Sequence, residues 1–304
     1  MRIAFIACLS LAVACAQDIV RDVRAAIAQN NFAMGESLIQ KHKAGQGITP
    51  EVIEAVSLLG RGALASKQLD RADAYAAEAR QLALDQLKRR RLDAEPHLPL
   101  ALGASIEVQA QVMAGRGARD EAVAFLRREL TTYRETSIRA RIQKNIHLLS
   151  LEGKPAPALD VSHWLGPKPA PLSQLRGKTL LLFFWAHWCS DCKNLLPDLV
   201  RLAAEFGPKG LRIIGPTQHY GYVGGGVEAT PQQETAYIDS VRKQFYSALA
   251  DMPAPLSEEN FKNYGSSSSP TLVLVDRKGI VRLYHPGAMS YRDLAAGVQS
   301  ILGD

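Results

Sequence analysis

Thr179-Leu180-Leu181-Leu182-Phe183-Phe184-Trp185-Ala186-His187-Trp188-Cys189-Ser190-Asp191-Cys192 decides how the second half of this 304-residue chain is read. The run 179–185 is short and largely apolar, as a strand buried on both faces requires. Helical spacing follows over 194–206, so the two cysteines lie where a buried strand ends and a helix begins. A thiol there meets free backbone N–H groups and the positive end of the helix dipole, which favour the thiolate. With two residues between them, the thiols can close a disulfide. The pair can therefore capture a substrate disulfide at Cys189 and release it by attack from Cys192.

Two plainer readings compete. Half a zinc site would need two further ligands, for which His187 and His219 are the candidates. A purely structural disulfide is the other. The flanking chain decides between them. Residues 211–215 read as a second short buried strand, and 237–249 as a helix. Residues 271–275 and 280–284 read as strands joined through Asp276-Arg277-Lys278-Gly279, and 293–302 as a closing helix. Strands alternating with helices and ending in a hairpin predict an α/β domain with a mixed sheet over 153–304.

Upstream, residues 17–150 read as helix throughout, with apolar positions three and four apart, as at Val52, Ala55, Val56 and Leu59. Three stretches, 30–42, 67–82 and 116–130, each begin with a polar turn and continue helically. Leu59, Gly60, Ala63, Ala72, Ala76 and Ala79 resemble the small-residue positions of a tetratricopeptide repeat. The expectation is an all-α helical-hairpin domain, either a scaffold or a surface for a protein client. Gly153-Lys154-Pro155-Ala156-Pro157 breaks this texture and opens the second domain.

Residues 1–16 read as an export signal. Met1-Arg2 is the charged start, 3–14 is apolar, and Ala14-Cys15-Ala16 fits a cleavage site before Gln17. Export places the protein in the periplasm or outside the cell; the competing use of Cys15 is as a lipid anchor. Cleavage after Ala16 removes Cys8 and Cys15 and leaves only the Cys189/Cys192 pair. The composition, 47% hydrophobic and 22% charged with mean hydropathy −0.08, excludes collagen-like, mainly disordered and polytopic membrane classes. The net charge of +6 is spread thinly. Lys88-Arg89-Arg90-Arg91 reads as a solvated helix end in preference to a nucleic-acid patch. The loop 218–226, rich in tyrosine and glycine, is either a substrate-recognition loop or a surface connection.

Residues 184–193 resemble the thioredoxin active-site segment, and Pro197, five residues past Cys192, matches its helix-kinking proline. Ser269-Pro270-Thr271, with the strand, Asp276 and Gly279 behind it, resembles that family's cis-proline loop and hairpin. The lead-in at 153–157, the stretch 261–287 and the long insert between Gly215 and Ser269 resemble exported thiol-disulfide oxidoreductases of the TlpA/ResA type. The resemblance implies a thioredoxin-like fold, Cys189 as nucleophile, Cys192 as resolving thiol, and Pro270 against the pair. It further implies substrate contacts at Ser269, Pro270 and Thr271, tuning by Trp188, Asp191 and His187, and no cofactor. Protein thiols and disulfides are the implied partners, with a membrane thiol reductase as electron donor. The departures are Asp191 where the family often has proline, Phe183 at the buried-acid position, and Leu195 where some relatives carry glutamate. A thiol peroxidase of the peroxiredoxin type shares the fold, but it places threonine where Ala186 stands.

Overall fold

Six consecutive buried residues, Thr179–Phe184, form the central strand of the second half, and the rest of that half is arranged around its two faces. The computed structural model describes residues 18–302; the signal segment expected over 1–16 lies outside the described residues. By contact density the chain divides into two units, one ending at Ser105 and the other running from Ile106.

The first unit is helical: α1 (Ile19–Ala28), α2 (Phe32–Gln46), α3 (Pro50–Ala65), α4 (Leu69–Leu87) and the start of α5 (His97–Gly115). Side chains of Asp18, Asn31 and Thr49 cap the first three by accepting from the amides of Arg21, Met34 and Val52. Ala72, Ala76, Ala79 and Ala83 are fully buried along α4. Their small side chains let α3 approach so closely that Gly60 lies against the α4 backbone at Ala72 and Ala76.

The second unit begins within α5 and continues through α6 (Arg119–Thr132) and α7 (Arg139–Ser150). These two helices thus group with the sheet, although the change of texture in the sequence comes only at Gly153. After β1 (Trp164–Leu165) and β2 (Thr179–Phe184) come α8 (Ser190–Asn194), α9 (Leu196–Phe206) and β3 (Leu211–Ile214). Next are β4 (Tyr222–Val223), β5 (Val227–Glu228), α10 (Pro231–Phe245), β6 (Ala254–Pro255) and α11 (Glu258–Tyr264). The chain closes with β7 (Thr271–Val275), β8 (Val281–Pro286) and α12 (Tyr291–Leu302).

The main sheet has the order β3-β2-β7-β8, with β2 parallel to β3 and antiparallel to β7, and β7 antiparallel to β8. This is the mixed α/β sheet expected, and with its flanking helices it is a thioredoxin-like fold. Alternation along β2 sends Leu181 and Phe183, with Trp185 beyond, into one core shared with α9, α10 and α12. Leu180, Leu182 and Phe184 enter a second core with Phe261, Tyr264 and Tyr284. Each such side chain, fully buried, favours the fold by about 2–3 kcal/mol.

The second core is covered by α11, and α11 is held to α7. Gly265, in the left-handed region at φ 60°, ends α11 against the backbone of Gln143 and Lys144. The ring of His147 donates from Nε2 to the carbonyl of Asn263 at 2.8 Å and packs edge-on against Tyr284. Burial pushes the His147 pKa below 6.5, so the ring is neutral at pH 7. On α5, the buried carboxylate of Glu107 accepts from Arg141, Lys144 and Asn145 of α7.

Candidate active site

β2 delivers the chain to the site. Trp185 leaves the strand buried, its indole N–H donating to the carbonyl of Gly215 at 2.9 Å. A turn closed by the amide of Cys189 on the carbonyl of Ala186 follows, and Cys189 is the N-cap of α8. The amide of Cys192 points at Cys189 Sγ, 3.0 Å away. An N–H aimed at sulfur from a helix start stabilises a thiolate there when the disulfide opens. Cys189 and Cys192 are joined in a disulfide, with Cα atoms 5.3 Å apart, and both are buried, whereas Trp188 is 48% exposed. Pro197 has no amide to donate back to Lys193, and the helix is interrupted at Leu195 between α8 and α9.

The Ser269–Pro270 peptide is cis. Thr271 pairs with Phe184 in the β2–β7 register, so the Ser269–Pro270 bond stands beside the end of β2 from which the cysteine segment departs. Thr271 is fully buried, and its hydroxyl donates to the carbonyl of Ser268. The carbonyl of Pro270 accepts from the amide of Gly287 at 2.8 Å.

The tuning residues separate. Asp191 is exposed. His187 is 2% exposed, and its Nε2 lies 3.2 Å from Glu234 on α10. Burial lowers the His187 pKa despite that carboxylate, so the neutral ring donates its Nε2–H to Glu234. Tyr220, Tyr222 and Tyr237 surround the ring edge-on, with centroids 5.3–5.5 Å away. His219 lies elsewhere, its Nε2 2.7 Å from the hydroxyl of Thr235.

Sequence reasoning missed Glu234. It is 1% exposed and accepts the amides of Tyr220 at 2.5 Å and Gly221 at 2.8 Å, besides His187. One carboxylate therefore fastens the 218–226 loop to the residue two before Cys189. In sequence it looks like any acid in the first turn of a helix with a Thr230/Gln233 capping box. Tyr220 stands edge-on to Trp188 at 5.5 Å, so the loop borders the cysteine pair. Phe183, at the buried-acid position, instead packs against Tyr246 in the core.

Residues 153–284 match the AhpC/TSA family. Thioredoxin-like protein YneN of Bacillus subtilis is 27% identical over 143 residues, 47% of this chain and 76% of the relative. Thiol:disulfide interchange protein DsbE of Xylella fastidiosa is 26% identical over 156 residues, 51% of this chain and 71% of the relative. Protein DipZ of Mycobacterium tuberculosis is 28% identical over 148 residues, but the match spans only 20% of its length. Among solved structures, a putative DsbE from Chlorobium tepidum is 23% identical, covering 50% of this chain and 98% of that one, with a TM-score of 0.40.

Proposed function

We propose that this chain, whose residues 153–284 form a redoxin domain of the AhpC/TSA family, is an exported thiol-disulfide oxidoreductase acting on protein substrates through Cys189 and Cys192. One observation carries the reading: the Cys192 amide aimed at Cys189 Sγ across the start of α8, behind an exposed Trp188. Similarity to proteins named for thiol:disulfide interchange supports the same chemistry. Export rests on the sequence of residues 1–16.

In the reducing direction, the Cys189 thiolate attacks one sulfur of a client disulfide. A mixed disulfide forms, and the other client sulfur leaves as a thiolate and takes up a proton. Cys192 loses its proton and attacks Cys189 Sγ, which releases the second client thiol and closes the Cys189–Cys192 disulfide. Two electrons pass from protein to client; oxidation of a client dithiol is the same sequence reversed. Trp188, with the Ser269–Pro270 segment, forms the contact face for the client.

The test is trapping. With Cys192→Ser, a client disulfide should accumulate as a stable mixed disulfide on Cys189, and Cys189→Ser should show neither trapping nor turnover. Peroxide-dependent thiol oxidation without disulfide exchange would overturn the proposal in favour of a peroxidase. N-terminal sequencing of exported material should begin at Gln17.

A further inference from the structure

Two buried titratable side chains next to the cysteine segment take no part in the exchange steps above: His187 and Glu234, joined at 3.2 Å. Among the described residues, the other buried acids and histidine belong to other elements. Glu54 is on α3, Glu107 on α5, Glu129 on α6, His147 on α7, and Asp276 follows β7. Phe183 and Leu195, both apolar, pack with the two cysteines in the core. His187 precedes Cys189 by two residues, a span of chain that reaches at most about 7 Å. At that range, in an interior that water and salt screen poorly, a charge appearing on one group is felt by the other.

The pair is poised between opposing influences. The Nε2–H of His187 is engaged with Glu234, which leaves Nδ1 as the nitrogen able to accept a proton. The charged groups acting on the ring are Glu234 from α10 and Lys193 from α8. Tyr220 and Tyr222, from the loop, and Tyr237, from α10, meet it with their rings. Burial opposes charge on the imidazole most strongly, Glu234 favours it, and Lys193 opposes it; the outcome is a pKa below 6.5. That balance holds with the cysteines joined and uncharged. Reduction places a thiolate at Cys189, steadied by the Cys192 amide at the start of α8. The new negative charge acts in the same direction as Glu234 and tips the balance toward the charged imidazole.

We propose that the His187–Glu234 pair is a redox-linked proton site, which takes up one proton when the Cys189–Cys192 disulfide is reduced and gives it up when the disulfide closes. The step balances. A client dithiol loses two electrons and two protons as its own disulfide forms. The electrons open the Cys189–Cys192 bond, one proton goes to Cys192 Sγ and the other to His187 Nδ1, and Cys189 stays a thiolate. In the reducing direction both protons return to the client's two thiols. His187 and Glu234 act on Cys189 through charge, as positioning residues. The inference rests on the exchange chemistry proposed above and says where its second proton is kept.

The experiment follows the His187 ring of the full chain by NMR through a pH titration, once oxidised and once reduced. Reduction should raise the midpoint by about one pH unit or more, a tenfold gain in proton affinity. The equilibrium with dithiothreitol is the second readout. Dithiothreitol gives up two protons on oxidation, so between the two midpoints the wild-type equilibrium should stay level with pH. In His187→Gln, which takes up one proton fewer, reduction of the protein should become about tenfold more favourable per pH unit. Glu234→Gln should lower the midpoint of the reduced protein. Equal midpoints in the two redox states overturn the proposal, and so does an equilibrium in His187→Gln as level as that of wild type. An unmoved midpoint in Glu234→Gln overturns the part given to Glu234. Cysteines that do not exchange with dithiothreitol at all overturn the exchange reading and the inference with it.

Discussion

Replacing Glu107 by glutamine tests the junction that holds α7 to α5. The Glu107 side chain is nearly buried, and one oxygen accepts from Arg141 Nε at 3.1 Å, Lys144 Nζ at 3.0 Å and Asn145 Nδ2 at 3.2 Å. Burial alone would push this carboxyl up; the two cations outweigh it and hold it at about 2, below the usual 4.5. A folded value below the unfolded one means stability that is present above pH 4.5 and lost as pH falls through about 2. At about 1.4 kcal/mol per tenfold change in proton affinity, the ionised carboxylate contributes about 3 kcal/mol at pH 7 and roughly half that at pH 3. Glu107→Gln keeps the shape and removes the charge. Its deficit against wild type should therefore be about 3 kcal/mol at pH 7, and should narrow by about half at pH 3. Urea unfolding followed by tryptophan fluorescence reads the relevant unit directly, because Trp164, Trp185 and Trp188, the three tryptophans of the chain, all lie beyond Ser105. Equal midpoints at pH 7, or a deficit that persists undiminished at pH 3, would refute the reasoning.

Glu234→Gln replaces a carboxylate that accepts three hydrogen bonds by an amide whose NH2 must face one of those donors. Hydrogen exchange at the amides of Tyr220 and Gly221 should accelerate at least tenfold, and unchanged protection would rule out the clamp. Gly265→Ala puts a Cβ into the backbone of Gln143 and Lys144 at a left-handed φ of 60°, which should cost at least about 2 kcal/mol. A midpoint within error of wild type in the same urea assay would contradict the close approach of α7. Phe184→Ala, at a fully buried site beside Phe261 and Tyr264, should cost about 3–5 kcal/mol by thermal or urea unfolding. His147, neutral when folded and held below 6.5 by burial, contributes stability that is present above pH 6.5 and lost as pH falls below it. Exchange in α7, corrected for intrinsic rates, should thus quicken from pH 7 to pH 5, and His147→Gln should blunt that change.

Much of the redoxin half was legible because its signals are local. β2 shows as an apolar run, the hairpin as two such runs around Asp276-Arg277-Lys278-Gly279, and the break at Leu195 as the proline two residues on. Small departures at the boundaries also have local causes. α10 starts at Pro231, earlier than the apolar spacing suggests, because Thr230 and Gln233 form its capping box. α11 was not legible. Glu258-Glu259-Asn260-Phe261-Lys262-Asn263-Tyr264 is seven residues, mostly polar, with only Asn260, Phe261 and Tyr264 turned inward. A helix that short is decided by what it packs on, here Phe184 and α7.

The same distinction separates the chemistry of the site from its selectivity. Cys189 and Cys192 need only a strand end, a helix start and a spacing of three, all contiguous in sequence. The surroundings of the pair come from four distant segments: Glu234 on α10, the 218–226 loop, Ser266 after α11, and Arg139–Ala140 on α7. None carries a motif, because each acts through a neighbour: a carboxylate through two loop amides, a glycine through a facing backbone. Sequence similarity over the redoxin half therefore speaks to the exchange chemistry more readily than to the choice of client.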